Sequence, residues 1–312
     1  MRTVAAVTIQ CDLRVWDADT GKELFWKSHI EAGFTLAAFS PDSAYLAVGG
    51  QRRAVCSVFD ARSGEILKEL PAHDTSVRTV CFSSDGTIIL TASQDTGKRA
   101  RLWDWRNGKE LQTFVHKDRL WSASFSPDGK RVLTGTIGKE ACLWSAETGS
   151  QLAALGPHND LVCRGGDLSR DGRFAVTLDG NSAVGVWDVE RQVRCRFLDF
   201  GPTTNVCRAW FACDDKTISV WLSDGTMRTY NLDAVEVRKE PMPVVSAVCH
   251  ADVSSDNRHV VSVDTEVPLI RLWDRMSDYP DGRPLRHMPG FWLTLLFGLT
   301  FVWSVWRDRK TL

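Results

Sequence analysis

The chain is 312 residues long, with 38 Lys and Arg against 39 Asp and Glu. Charge so evenly balanced supplies no global field to draw in nucleic acid or acidic lipid, and nucleic acid is not an expected partner. The length leaves the domain count open, because all-β domains often exceed the usual size as one unit.

From the N-terminus, MRTVAAVTIQCD opens with a short apolar stretch that Asp12 and Arg14 interrupt too soon for the hydrophobic region of a secretory signal. Nine cysteines, an odd number with no CxxC pair, mostly sit inside apolar runs, Cys81 in TVCFS and Cys142 in ACLW among them. They read as reduced core residues and, with no signal peptide, favour a reducing compartment.

A repeat then runs along the chain. The segments LRVWD, CSVFD, ARLWD, ACLWS, VGVWD, MRTYN and IRLWD carry the aromatics Trp16, Phe59, Trp103, Trp144, Trp187, Tyr230 and Trp273 at gaps of 43, 44, 41, 43, 43 and 43 residues. A second marker keeps the same interval: Asp42, Asp85, Asp128, Asp171, Asp214 and Asp256, in contexts such as SPDS, SSDG and SPDG. Asp bonds to nearby backbone N–H groups and Gly accepts φ > 0, so these are turns.

Three residues before each of these Asp residues stands a bulky apolar residue (Phe39, Phe82, Phe125, Leu168, Phe211, Val253), and five before it a small one (Ala37, Val80, Ala123, Gly166, Ala209, Ala251). One strand face therefore alternates small with large, which suits a layer narrowing toward an axis. Gly21, Gly64, Gly108 and Gly149 mark the next hairpin corner in TGKEL, SGEIL, NGKEL and TGSQL. Each period reads as four short strands, one blade of an all-β, seven-bladed β-propeller.

The xLWD endings, the SPDG turns and His29, His73, His116 and His158 before the inner strands resemble the WD-repeat (WD40-type) family over residues 1 to about 287. The resemblance implies a buried hydrogen-bond set joining a histidine, a turn Asp and the blade's Trp. Its members here are His73 with Asp95 and Trp103, and His158 with Asp179 and Trp187. The fourth blade departs from the pattern, with Gly138 in the turn region and Ser145 after its Trp, and the second uses Phe59; both are expected to hold by packing alone.

The first unit begins after its own innermost strand, since the Asp marker projected back one period falls before residue 1. Its blade is expected to lack that strand, from an upstream truncation or from imperfect ring closure. GRPLRH is the expected outer strand of the last blade. After His287, residues 288–306 run 19 positions without a charge and are followed by the basic tail 307–312. As a helix they span roughly 28 Å, near the ~30 Å hydrocarbon core. Trp292, Trp303 and Trp306 lie near the ends, and Arg307, Arg309 and Lys310 follow, so a transmembrane helix is expected, against the alternative of a buried cap. Membrane association with the propeller on the cytoplasmic side follows from it.

No GxxxxGK[ST], HExxH, CxxC or GxSxG occurs, so no cofactor, metal or small-molecule substrate is expected. The position four before each turn Asp reads Ala38, Cys81, Ser124, Asp167, Trp210 and Asp252. Asp167, Trp210 and Asp252 are candidates to face the central channel, where paired carboxylates would do acid–base work. The competing reading has the carboxylates bonding backbone N–H groups and Trp210 filling a gap. On the rim where chain enters the inner strands lie Arg78, Lys117, Arg119, Trp121, Asn159 and Arg164. Arg78, Arg119, Trp121 and Arg164 are the expected contacts to other proteins, because Trp and Arg are enriched at binding hot spots. The alternative packs Trp121 between blades and leaves the arginines solvated. The expected function is a non-catalytic protein-interaction scaffold; a sensor module of a larger signalling protein and a channel-site enzyme are the alternatives.

Overall fold

Short runs rich in Val, Ile, Phe and Trp alternate with Asp-Gly and Thr-Gly corners, a pattern that favours strands joined by tight turns. In the computed structural model every regular element among the described residues is a strand. Described are residues 3–274 apart from 8–11, 18–19, 28–33, 51–53, 94–95, 159–162, 181, 213–214, 225, 234, 242–247, 254–258 and 265–269; from 238 onward the backbone course alone is described.

The strands fall into antiparallel sheets that follow chain order. The first holds β1 (Thr3–Val7), β2 (Leu13–Asp17) and β3 (Glu23–Lys27), and the second β4 (Phe34–Phe39), β5 (Tyr45–Gly50), β6 (Cys56–Asp60) and β7 (Ile66–Leu70). The third holds β8 (Val77–Phe82), β9 (Ile88–Ser93), β10 (Arg99–Asp104) and β11 (Lys109–Val115). The fourth holds β12 (Leu120–Phe125), β13 (Arg131–Thr136), β14 (Ala141–Ser145) and β15 (Gln151–Leu155). In the fifth are β16 (Cys163–Leu168), β17 (Phe174–Asp179), β18 (Ala183–Asp188) and β19 (Val193–Asp199). The sixth has β20 (Val206–Phe211), β21 (Thr217–Leu222), β22 (Thr226–Asn231) and β23 (Glu236–Pro241), and the seventh β24 (Val248–Val253), β25 (His259–Asp264) and β26 (Ile270–Asp274). Among the described residues the first and seventh sheets have three strands and the second to sixth have four.

The core lies between the sheets. Phe39 of β4 packs with Ala5, Leu13 and Val15 of the sheet before it, and Phe82 of β8 with Ala47, Cys56 and Val58. Phe211 of β20 packs likewise with Val176, Val184 and Val186. The large residue of these inner strands thus faces the preceding sheet, and the small residue two positions earlier lies in the same layer.

In the second to fifth sheets the inner turn is closed by a serine two residues ahead of its Asp. Ser83 Oγ donates to Asp85 Oδ1 at 2.6 Å and Ser169 Oγ to Asp171 Oδ1 at 2.6 Å, while Thr87 and Arg173 donate their backbone N–H to the same carboxylates. At the outer corner Gly64 has φ +70° and its Cα lies against Phe25 of the preceding sheet, so close that a Cβ would stand 2.6 Å from the ring. Glycine there serves both the left-handed turn and the approach of neighbouring sheets.

No helix among the described residues is long and apolar enough to cross a membrane. The expected transmembrane helix 288–306, the basic tail 307–312 and the outer strand expected from GRPLRH lie outside the described residues.

Candidate interaction site

The rim is held from below by buried polar sets in three successive sheets. His73 Nε2 lies 3.1 Å from Thr91 Oγ1, which also accepts the Trp103 indole N–H at 3.0 Å. His116 and Trp144 meet in the same way on Thr134, at 2.8 and 2.9 Å, and His158 and Trp187 on Thr177, at 2.8 and 2.7 Å. The expectation that the fourth sheet holds by packing alone is therefore corrected, because Thr134 supplies the joining hydroxyl without any turn Asp. The threonines were not read from the sequence, although they recur at 43 residues in phase with the aromatics.

Burial pushes His116 down to about 4, against the carbonyls of Lys98 and Phe114, and lowers His158 as well, so both are neutral at neutral pH. Asp179 is buried, its charge opposes the lowering of His158, and it holds Arg194 at 3.5 Å. Asp95 and His29 lie outside the described residues. In the second sheet Val48 and Phe59 occupy the threonine and tryptophan positions, so both groups are apolar. In the first sheet Ala6 stands at the threonine position, and among the described residues the buried Trp16 Nε1 has no hydrogen-bond partner.

These sets fix the loops that enter the inner strands. The backbone N–H of His116 donates to Lys98 O at 3.0 Å, and that of Ile137 to Arg119 O at 3.0 Å. Lys98 Nζ donates to Lys117 O. The segment 116–119 is thereby tied to the middle hairpin turn of the third sheet on one side and of the fourth on the other. Lys117, Asp118 and Arg119 are exposed on it.

Just inside that segment the inner strands are bulged. The β8–β9 register breaks between Val77 and Thr79, at Arg78, and the β12–β13 register between Leu120 and Ser122, at Trp121. A bulge re-aims the side chain it carries. Here Arg78 and Trp121 are both half-buried, and the guanidinium carbon lies 5.1 Å from the indole ring centre across adjoining sheets, a cation–π stack. The structure thus brings together two of the rim residues named from sequence, Arg78 and Trp121, and leaves Arg119 exposed two positions before Trp121. Arg164 falls on β16 at the corresponding register break, but its side chain and Asn159 lie outside the described residues.

The inner-strand polar residues are placed differently. Asp167 accepts the backbone N–H of Phe211 at 3.0 Å, joining β16 to β20 of the next sheet, and burial raises its carboxyl above the usual range. Arg208, whose charge attracts Asp167, lies 5.9 Å from the Trp210 ring, and Trp210 is buried. Ser124 Oγ donates to Gly166 O at 3.2 Å from the equivalent position of β12. These side chains link successive inner strands. Asp252 belongs to β24, opposite Val261, and its side chain lies outside the described residues. Among the described residues no three His, Cys, Asp or Glu side chains converge as metal ligands do.

Four-stranded antiparallel meanders that follow one another in chain order, packed face to face along their inner strands, are propeller blades. Residues 64–104 and 108–145 match the family model described as WD domain, G-beta repeat, so the chain carries WD40 repeats. Pre-mRNA-processing factor 17 of Mus musculus is 23% identical over 261 residues, 80% of this chain and 44% of that protein. Pre-mRNA-processing factor 19 homolog 2 of Arabidopsis thaliana is 27% identical over 76% of this chain and 46% of its own length. Serine-threonine kinase receptor-associated protein of Gallus gallus is 29% identical over 49% of this chain and 46% of its own length. The chain spans less than half the length of each of these relatives.

The expected membrane-associated localisation, with the propeller on the cytoplasmic side, is corrected by these findings. Relatives named as pre-mRNA-processing factors point away from a membrane. Length and apolarity, the grounds for that expectation, also belong to segments buried within larger folds.

Proposed function

We propose that residues 1–287 form a seven-bladed WD40 propeller that acts as a non-catalytic scaffold, holding other proteins at the rim where chain enters the inner strands of the third and fourth blades. The observation that carries this reading is the Arg78–Trp121 stack, bulged out of two neighbouring inner strands and bordered by exposed Arg119. Trp and Arg are the side chains on which binding energy concentrates. A rim pre-ordered by backbone bonds and by the His–Thr–Trp sets beneath it loses little conformational entropy when a partner docks. The names of the pre-mRNA-processing relatives support membership of a multi-protein assembly. A second reading, a regulatory module of a longer protein, is favoured by the chain's matching under half the length of these relatives.

Trp121→Ala and Arg78→Ala test the rim. Each is expected to weaken association with captured partners by about 2 kcal/mol, while the urea midpoint of Arg78→Ala stays near that of the parent. Folded variants that capture the same partners with the same affinity would overturn the reading.

A further inference from the structure

We infer that the open edge of β1 is the docking site for residues 291–296 of this chain, FWLTLL, which pair with it antiparallel as the innermost strand of the first sheet. The inference rests on the seven-bladed ring proposed above, which sets the first sheet beside the seventh.

The first ground is the edge itself. Among the described residues β1 is bonded to β2 alone and ends its sheet. A free edge shows backbone N–H and C=O groups to water, and leaving such groups buried and unpaired is costly. Yet Ala5 in the middle of β1 exposes 0% of its surface and Thr3 only 3%. The strand is thus enclosed as a middle strand is, and its second ladder calls for a partner.

The second ground is the interval. The inner strands β4, β8, β12, β16, β20 and β24 begin at residues 34, 77, 120, 163, 206 and 248, steps of 43 residues with one of 42. One further step of 43 reaches Phe291. The distance from the end of one sheet's third strand to the start of the next inner strand is 16 to 18 residues throughout, and from Asp274 at the end of β26 to Phe291 it is 17. The segment also has the inner-strand pattern. Phe291 falls at the apolar first position of Val77 and Leu120, Thr294 at the small position of Ala37 and Ala123, and Leu296 at the large position of Phe39 and Phe82. No Asp stands at 299, where the turn into a second strand would come. None is needed, because the second strand of this sheet is β1, at the other end of the chain.

The register follows from the other sheets. Phe39 lies opposite Leu46, which faces Phe59, and Phe82 opposite Ile89, which faces Trp103. In the first sheet Val4 faces Trp16, so Leu296 belongs opposite Val4, Leu295 opposite Ala5 and Thr294 opposite Ala6. An uncharged run of this kind suits a strand enclosed between sheets. The same register sets Trp292 at position two of the inner strand, the position that Arg78 and Trp121 hold at the rim.

The test is disulfide trapping in the full chain, since opposite Cα atoms of an antiparallel pair are about 4.5–5.5 Å apart, within disulfide reach. Mild oxidation of the A5C and L295C chain is expected to link positions 5 and 295 within one molecule, with the bonded peptides assigned by mass spectrometry. The A38C and A47C chain, whose positions are opposed in β4 and β5, serves as the positive control. A5C with F301C, six residues out of register, is expected to give no link. Without any substitution, backbone hydrogen exchange at Thr3–Val7 is expected to be as slow as at Tyr45–Gly50, the second strand of the next sheet. Leu296→Asp is expected to speed it roughly tenfold or more. A link between two molecules, an equal yield from A5C with F301C, or exchange in the parent roughly tenfold faster at β1 than at β5 would overturn the proposal. No link in a chain that still captures its partners overturns the closure and leaves the scaffold reading standing.

Discussion

Thr91, Thr134 and Thr177 stand 43 residues apart, and each closes a histidine–tryptophan pair in its own sheet. The tryptophans and histidines were legible in the sequence, because their residue types are rare and recur in phase. A threonine inside an apolar strand carries no such mark, since a β-branched residue is what a strand favours anyway. Only the pairing that sets Thr134 beside Trp144 and His116 gives it a role. The same sets make stability depend on pH. His116 is lowered by burial from 6.5 to about 4. A depressed folded value means that its contribution is full above 6.5, falls as the unfolded chain takes up protons first, and is gone below about 4. Urea midpoints measured across that window are expected to fall less steeply for His116→Gln than for the parent chain. Parallel slopes would contradict this.

Turns and bulges differ in how much of them sequence reveals. Gly64 and Gly108 announce their corners, because few residues other than glycine accept φ near +70°. The register breaks at Arg78 and Trp121 leave no trace in composition, since a bulge is a property of two strands paired and not of either alone. Rim position was therefore legible for both residues, and their mutual stacking was not. Corner glycines also differ among themselves. Gly21 has φ +71° with nothing within 4 Å of a would-be Cβ, whereas at Gly64 the Phe25 ring lies at 2.6 Å. Gly21→Ala is expected to cost only the left-handed strain, about 1–2 kcal/mol. Gly64→Ala is expected to exceed it by about 1 kcal/mol or more, because Phe25 must also move. Denaturant titration of the two variants measures the difference, and equal losses would show that the approach of the second sheet to the first is relaxed.

At the scale of the molecule, a period of 41 to 44 residues was enough to anticipate successive four-stranded sheets, because each unit repeats the same buried faces and corners. The localisation drawn from the tail misled for the converse reason: residues 288–306 carry no turn Asp to mark the repeat, and length with apolarity describes more than one environment. Function is carried by departures from the repeat. Position two of the inner strands reads Thr35, Arg78, Trp121, Arg164, Cys207 and Cys249, and that variation on a constant frame is where a binding surface is expected. The most direct measurement is site-specific photo-cross-linking, with a benzophenone side chain placed in turn at Arg119 and at Arg62 of the full chain. The account predicts discrete protein adducts from position 119 that vanish when Trp121→Ala is added, and none of them from position 62. The same adducts from both positions, or adducts from 119 that persist without Trp121, would contradict it.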